Sequence, residues 1–74
     1  MAKRSLRIAG HSTSVSLEDE FWDALGEIAG LRGVSVNGLV AEIDAGRGRR
    51  GLTSALRAYA LAHFRGQRRP GRRS

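Results

Sequence analysis

A change of period at Leu17 limits the folds open to this chain more than any other feature. Over residues 12–17, Ser12, Ser14 and Ser16 alternate with Thr13, Val15 and Leu17, the period-two pattern of a strand with one polar and one apolar face. From Asp19 the apolar residues recur every three or four positions. Phe21, Ala24, Leu25, Ile28 and Leu31, flanked by Trp22 and Ala29, form one helical arc, while Asp19, Glu20, Asp23 and Glu27 gather opposite. Ser16 with Asp19 three residues on reads as a capping box, and Glu18, Asp19 and Glu20 complement the helix dipole. Arg32-Gly33 closes the helix, with glycine available for a left-handed cap. Only Gly33 and Val34 precede Ser35, the N-cap of a second helix carrying Val36, Leu39, Val40 and Ile43 and ended by Gly46.

Upstream, Leu6 and Ile8 are apolar at even positions, so the phase flips across Ala9-Gly10-His11. A turn or bulge is expected at Gly10, leaving residues 3–8 as either a second short strand or an ordered arm. Downstream, Arg47-Gly48-Arg49-Arg50-Gly51 reads as a flexible basic loop, and Leu52, Leu56, Tyr59 and His63 mark a third helix ending near Phe64. From Arg65 on there is no apolar residue to bury, the composition of a disordered tail. The expected division is a basic arm or strand (1–11), a core (12–46), the Gly/Arg loop (47–51), the third helix (52–64) and the Arg-rich tail (65–74).

A chain of 74 residues is one domain at most, and a lone domain of that size buries only about 60% of its unfolded surface, so a dimer is expected. A single strand per subunit would leave its backbone unpaired, so folding and dimerisation are expected to be inseparable. Without cysteine, and with two isolated histidines, neither a disulfide framework nor a metal site is expected. No signal-peptide core and no run near the roughly 20 apolar residues of a membrane span is present, so a soluble, unprocessed, cytoplasmic protein is expected. All seven acids lie between Glu18 and Asp44, where Arg32 is the lone base, and every other Lys and Arg of the thirteen lies in the flanks. Basic flanks around an acidic centre suit a polyanionic partner.

The alternating strand, the amphipathic helix, the two-residue link with glycine and the capped second helix together resemble the ribbon-helix-helix family of DNA-binding proteins. The likeness covers about residues 12 to 46. The longer run from Lys3-Arg4-Ser5-Leu6 to Ala45-Gly46 is similar to a subgroup of short bacterial members with an extra C-terminal helix. The resemblance implies a mainly α fold with a short N-terminal strand, in which one strand from each subunit forms an antiparallel intersubunit β-ribbon that enters the major groove. Ser12, Ser14 and Ser16 would then touch base edges, with His11 sharing the task. Serine departs from the longer side chains usual there, and a short hydroxyl discriminates bases less well. The start of the second helix, Ser35, Val36 and Asn37, would clamp phosphate through free N–H groups. Lys3, Arg4, Arg7, Arg47, Arg49 and Arg50 are further expected phosphate contacts. Val15, Leu17, Phe21, Trp22, Leu25, Ile28, Val36, Leu39, Val40 and Ile43 would form the dimer core.

Gly46-Arg47-Gly48-Arg49-Arg50-Gly51 fits the dinucleotide pattern G-x-G-x-x-G, but it follows a helix in a chain too short for a βαβ unit. The carboxylates of the first helix are spaced as a solvated face, and no enzyme, cofactor, catalytic residue or effector pocket is expected. The expected function is sequence-preferring duplex-DNA binding by a homodimeric transcriptional regulator, a repressor, associated with the nucleoid when bound and open to higher-order assembly on DNA. Two alternatives are an antitoxin-type module whose third helix meets a protein partner and a binder of nucleic acid through charge alone.

Overall fold

The computed structural model describes residues 1–67. The order is β1 (Ala2–Ile8), β2 (His11–Leu17), α1 (Asp19–Arg32), α2 (Val36–Gly46) and α3 (Leu52–Gln67). β1 and β2 pair antiparallel, with Ile8 opposite His11 and Ala2 opposite Leu17. The two-residue turn between them has positive φ at both positions, 54° at Ala9 and 81° at Gly10, which matches its twist to that of the strands it joins.

This pairing makes residues 3–8 the second strand and corrects the expectation of a single strand per subunit. The two-stranded ribbon forms within one chain, so β2 does not need a second subunit to satisfy its inner backbone groups. The parity of β2 is as expected: Val15 and Leu17 are buried, and Ser12, Ser14 and Ser16 are exposed.

The ribbon's apolar face lies on the helices. Ile8, Val15, Leu17, Trp22, Leu25, Ile28, Ala29, Leu39, Val40, Leu56 and Ala60 form one buried cluster, with Phe21, Val36 and Ile43 packed against it. All ten residues assigned to a dimer core therefore take part in the core of a single protomer. Leu31 departs from its expected place and is 65% exposed. The buried arc of α1 centres on Leu25 with Trp22, Ile28 and Ala29, and at about 100° per residue Leu31 falls some 120° from that centre.

The N-terminus of α1 also differs from the expected capping box. Glu18 is the N-cap, and its side chain makes no capping bond. Ser16 belongs to β2, opposite Lys3, so its extended backbone and outward hydroxyl are committed to the sheet. At the other end Gly33 takes the left-handed cap with φ 71°, its N–H facing the Ala29 and Gly30 carbonyls. Ser35 caps α2 as expected, its Oγ accepting from the Gly38 N–H at 2.9 Å. A Cβ on Gly38 would lie 3.2 Å from that hydroxyl, which explains a glycine in the first turn despite its poor helix propensity.

α3 belongs to the same core: Ala55, Leu56 and Ala60 are buried. It runs to Gln67, past the expected end near Phe64, because Arg65 suits the negative end of the helix dipole and no proline interrupts the chain before residue 70. The first three residues of the expected tail (65–74) are therefore helical, and residues 68–74 lie outside the described residues. Arg57 forks onto Glu18, Nε to Oε1 and Nη2 to Oε2, both at 3.0 Å. Arg32 reaches Glu42 at 2.8 Å and the Tyr59 hydroxyl at 3.3 Å, so α1, α2 and α3 are cross-linked on two sides. A groove of about 550 Å³, which the sequence does not announce, is lined by residues of α2, the following loop and α3, among them Ile43, Arg47, Ala55 and Tyr59.

Candidate nucleic-acid interface

Side chains directly opposite in an antiparallel pair share a face. The register sets Lys3 opposite Ser16, Ser5 opposite Ser14 and Arg7 opposite Ser12, and all six residues are exposed. The outward face of the hairpin is therefore a row of three hydroxyls on β2 beside a Lys-Ser-Arg row on β1. Lys3 and Arg7 stand within the ribbon itself and not in a flanking arm. Ser5 shares this face, a placement that sequence reasoning missed. The signal was available, since a two-residue turn fixes every cross-strand partner, but it required choosing the second-strand alternative for residues 3–8.

Two assigned residues fall elsewhere. Arg4 has the parity of the inward face, and its guanidinium lies over the Trp22 ring, 4.9 Å from the centroid. The indole N–H of Trp22 donates to the Ala2 carbonyl at 2.7 Å, so Trp22 fastens the start of β1 and holds Arg4 on the side away from the serines. His11 has the parity of Thr13 and Val15; it is exposed because it sits at the turn, beyond the edge of the core.

The start of α2 meets the hairpin at Arg7. The Arg7 N–H donates to Asn37 Oδ1 at 2.9 Å, and Asn37 Nδ2 donates to the Arg7 carbonyl at 2.7 Å. Of the first α2 donors, the Gly38 N–H is taken by Ser35 Oγ and the Leu39 N–H by the Ser35 carbonyl. Helix geometry leaves the N–H groups of Val36 and Asn37 without an intrahelical acceptor. No acid occupies this first turn, so the positive end of the helix dipole stands beside a basic strand.

The Gly/Arg loop is separate from this cluster. Arg47 lies about 15 Å from Asn37 along the axis of α2. Its Nε donates to Asp44 Oδ1 at 2.6 Å and its Nη1 to the Arg50 carbonyl at 2.7 Å, so Arg47 closes the loop on itself. Arg49 and Arg50 are exposed there. The acids Asp19, Glu20, Asp23 and Glu27 lie on α1 and are all exposed, on the side away from its buried arc. Among the described residues no group of three or more metal-ligating side chains comes together, and no helix is long and apolar enough to cross a membrane.

Comparison with known proteins gives the fold a family. Residues 1–64 match the family described as ribbon-helix-helix domain. The chain is similar to a solved structure described as an uncharacterized protein from Bordetella pertussis Tohama I. The two share 38% identity with a TM-score of 0.79, over 89% of this chain and 57% of that one. The chain thus spans little more than half the length of that relative. No curated protein matches.

Proposed function

Because the chain belongs to the ribbon-helix-helix family, we propose that it binds duplex DNA as a homodimer with a sequence preference and regulates transcription as a repressor that occludes its site. The observation that carries this reading is the outward face of the hairpin: Ser12, Ser14 and Ser16 in one row, Arg7, Ser5 and Lys3 in the next. In an antiparallel ladder the outward backbone groups of β2 belong to the same three serines. Two β2 strands related by a two-fold axis at Ser14 would pair Ser12 with Ser16 of the second copy and keep all the hydroxyls on one face. β2 and its copy would then lie about 2.4 Å from the axis and each β1 about 7 Å from it, given a strand spacing near 4.8 Å. The major groove is about 12 Å wide. The serines would face its floor, and Lys3 and Arg7 its phosphate walls, with the free N–H groups of Val36 and Asn37 beyond Arg7.

This arrangement gives the two rows different work. Hydroxyls in the centre read bases over a short reach, and the flanking cations supply affinity and register. The antitoxin-type alternative asks α3 for a free apolar stripe, and that stripe is already spent on its own chain through Leu56 and Ala60. A cytoplasmic location, at the nucleoid when bound, goes with the DNA-binding reading.

Selection of bound sites from a random duplex pool is the first test, and an enriched motif is the expected result. On that motif Ser14→Ala should cost roughly 1–3 kcal/mol while leaving random duplex nearly unaffected. Arg7→Ala should weaken both and make the salt slope shallower by about 0.9 for each phosphate that the arginine no longer neutralises. A pool that yields no motif, with binding that tracks charge alone, would replace this reading with the charge-only one.

A further inference from the structure

Both strands of the hairpin are edge strands, but their edges are not alike. The outward backbone groups of β1 belong to Lys3, Ser5 and Arg7. The pair on Arg7 is already engaged by the side chain of Asn37, at 2.9 and 2.7 Å. A primary amide carries a donor and an acceptor side by side, as a peptide group of a neighbouring strand would present them. Asn37 therefore stands where a further strand would have to lie. The charges of β1 act in the same direction, because pairing two β1 strands about Ser5 would bring Lys3 of each copy against Arg7 of the other, and like charges across a ladder are destabilising. β2 has no such protection. Its outward residues are serines, and among the described residues no other element hydrogen-bonds to Ser12, Ser14 or Ser16.

We propose that Asn37 is an edge cap that closes β1 to strand addition, so that self-association through the hairpin uses β2 alone and ends at two copies. The occupant of the open edge is a second copy of this chain, and to that extent the inference rests on the homodimer proposed above. Joined through β2, two copies would form a sheet in the order β1-β2-β2-β1 with a closed edge at each end. The same amide that ties α2 to the ribbon thus sets where assembly stops.

Sedimentation velocity of the full chain without DNA, from low micromolar to several hundred micromolar, tests this. The parent should stop at two copies. Asn37→Ala, with its helical circular dichroism intact, should rise to about twice the parent mass or more as opened β1 edges meet. Adding Ser5→Pro, which removes an outward N–H from β1 at an edge position that tolerates proline, should return the mass to that of the parent. Should Asn37→Ala lose its helical signal, Asn37→Asp, which keeps the acceptor for the Arg7 N–H and suits a first helical turn, takes its place, and it should rise less. A folded Asn37 variant that keeps the parent mass overturns the proposal. So do larger species that Ser5→Pro fails to reverse, because they would not use the β1 edge. If the parent sediments as one copy throughout this range, pairing of free protomers through β2 fails by itself. The cap is then supported by an Asn37→Ala dimer that Ser5→Pro abolishes, and overturned if the variant stays single.

Discussion

Ala9 holds a backbone conformation that suits glycine better, with φ at 54°. For a residue with a Cβ the left-handed region costs roughly 1–2 kcal/mol, and Ala9 bears that cost so that the turn can match the strand twist. Asparagine followed by glycine is the pair this turn favours. Ala9→Asn should therefore stabilise the fold by about 1 kcal/mol, a rise of roughly 4–8 °C in Tm for a chain of this size. Ala9→Val should lower Tm, and an unchanged Tm in both would mean that the turn is not the one described. Glu18 ties stability to pH. Its own backbone N–H and then the Arg57 fork hold its carboxylate below the ordinary value of 4.5. A lowered folded-state pKa contributes stability above the unfolded value that is lost as pH falls through the folded one. Carbon-detected NMR titration should show the Glu18 midpoint below 4.5 in the parent and higher in Arg57→Ala; equal midpoints would mean that the fork is not formed in solution. Gly33 and Ser35 were legible in the sequence because each solves a problem posed by its immediate neighbours. Glu18 was not, since Ser16 offers an equally good local cap until the sheet claims it.

The elements were legible where one face alone decides them. The alternation of β2 and the stripe of α2 follow directly from burial on one side, and the serine row follows from the first. What the sequence could not show is which element each face meets. Whether β1 was a strand or an arm depended on pairing with β2, and the places of Arg4 and His11 depended on that answer. The contact between Asn37 and Arg7 joins residues 30 apart, and no local pattern points to it. α3 shows the same limit: its stripe was visible, its destination was not. Because Leu56 is fully buried and Leu61 is 55% exposed, Leu56→Ala should cost about 2–5 kcal/mol. Leu61→Ala should stay within about 0.5 kcal/mol. Equal losses in chemical denaturation would show that α3 packs on a different face, and a large loss at Leu61 alone would put that face in an interface.

Taken whole, the protomer has one core that draws on both strands and all three helices, and this changes how folding and association should be coupled. Were the ribbon made only between subunits, dilution would remove half of it, and the chain would unfold as it dissociated. Here the inner backbone groups of β2 are satisfied by β1 of the same chain. Leu17, Leu25, Ile28, Leu39, Val40 and Leu56 are already shielded from water without a partner. A second copy adds the pairing of the β2 edge, about six backbone hydrogen bonds in the register centred on Ser14, each contributing about 1 kcal/mol net. Much of that is offset by the several kcal/mol of rigid-body freedom lost on association. Association should therefore be weak and separable from folding. On dilution without DNA, the sedimentation coefficient should fall to that of one copy while helical circular dichroism stays constant. If duplex DNA binds two protomers side by side as proposed, it should restore the dimer at the same protein concentration by mass action. If helicity falls in step with mass, the single-chain core is too small to stand alone and folding is bound to dimerisation. If the mass never falls, the contact between copies is larger than one strand edge.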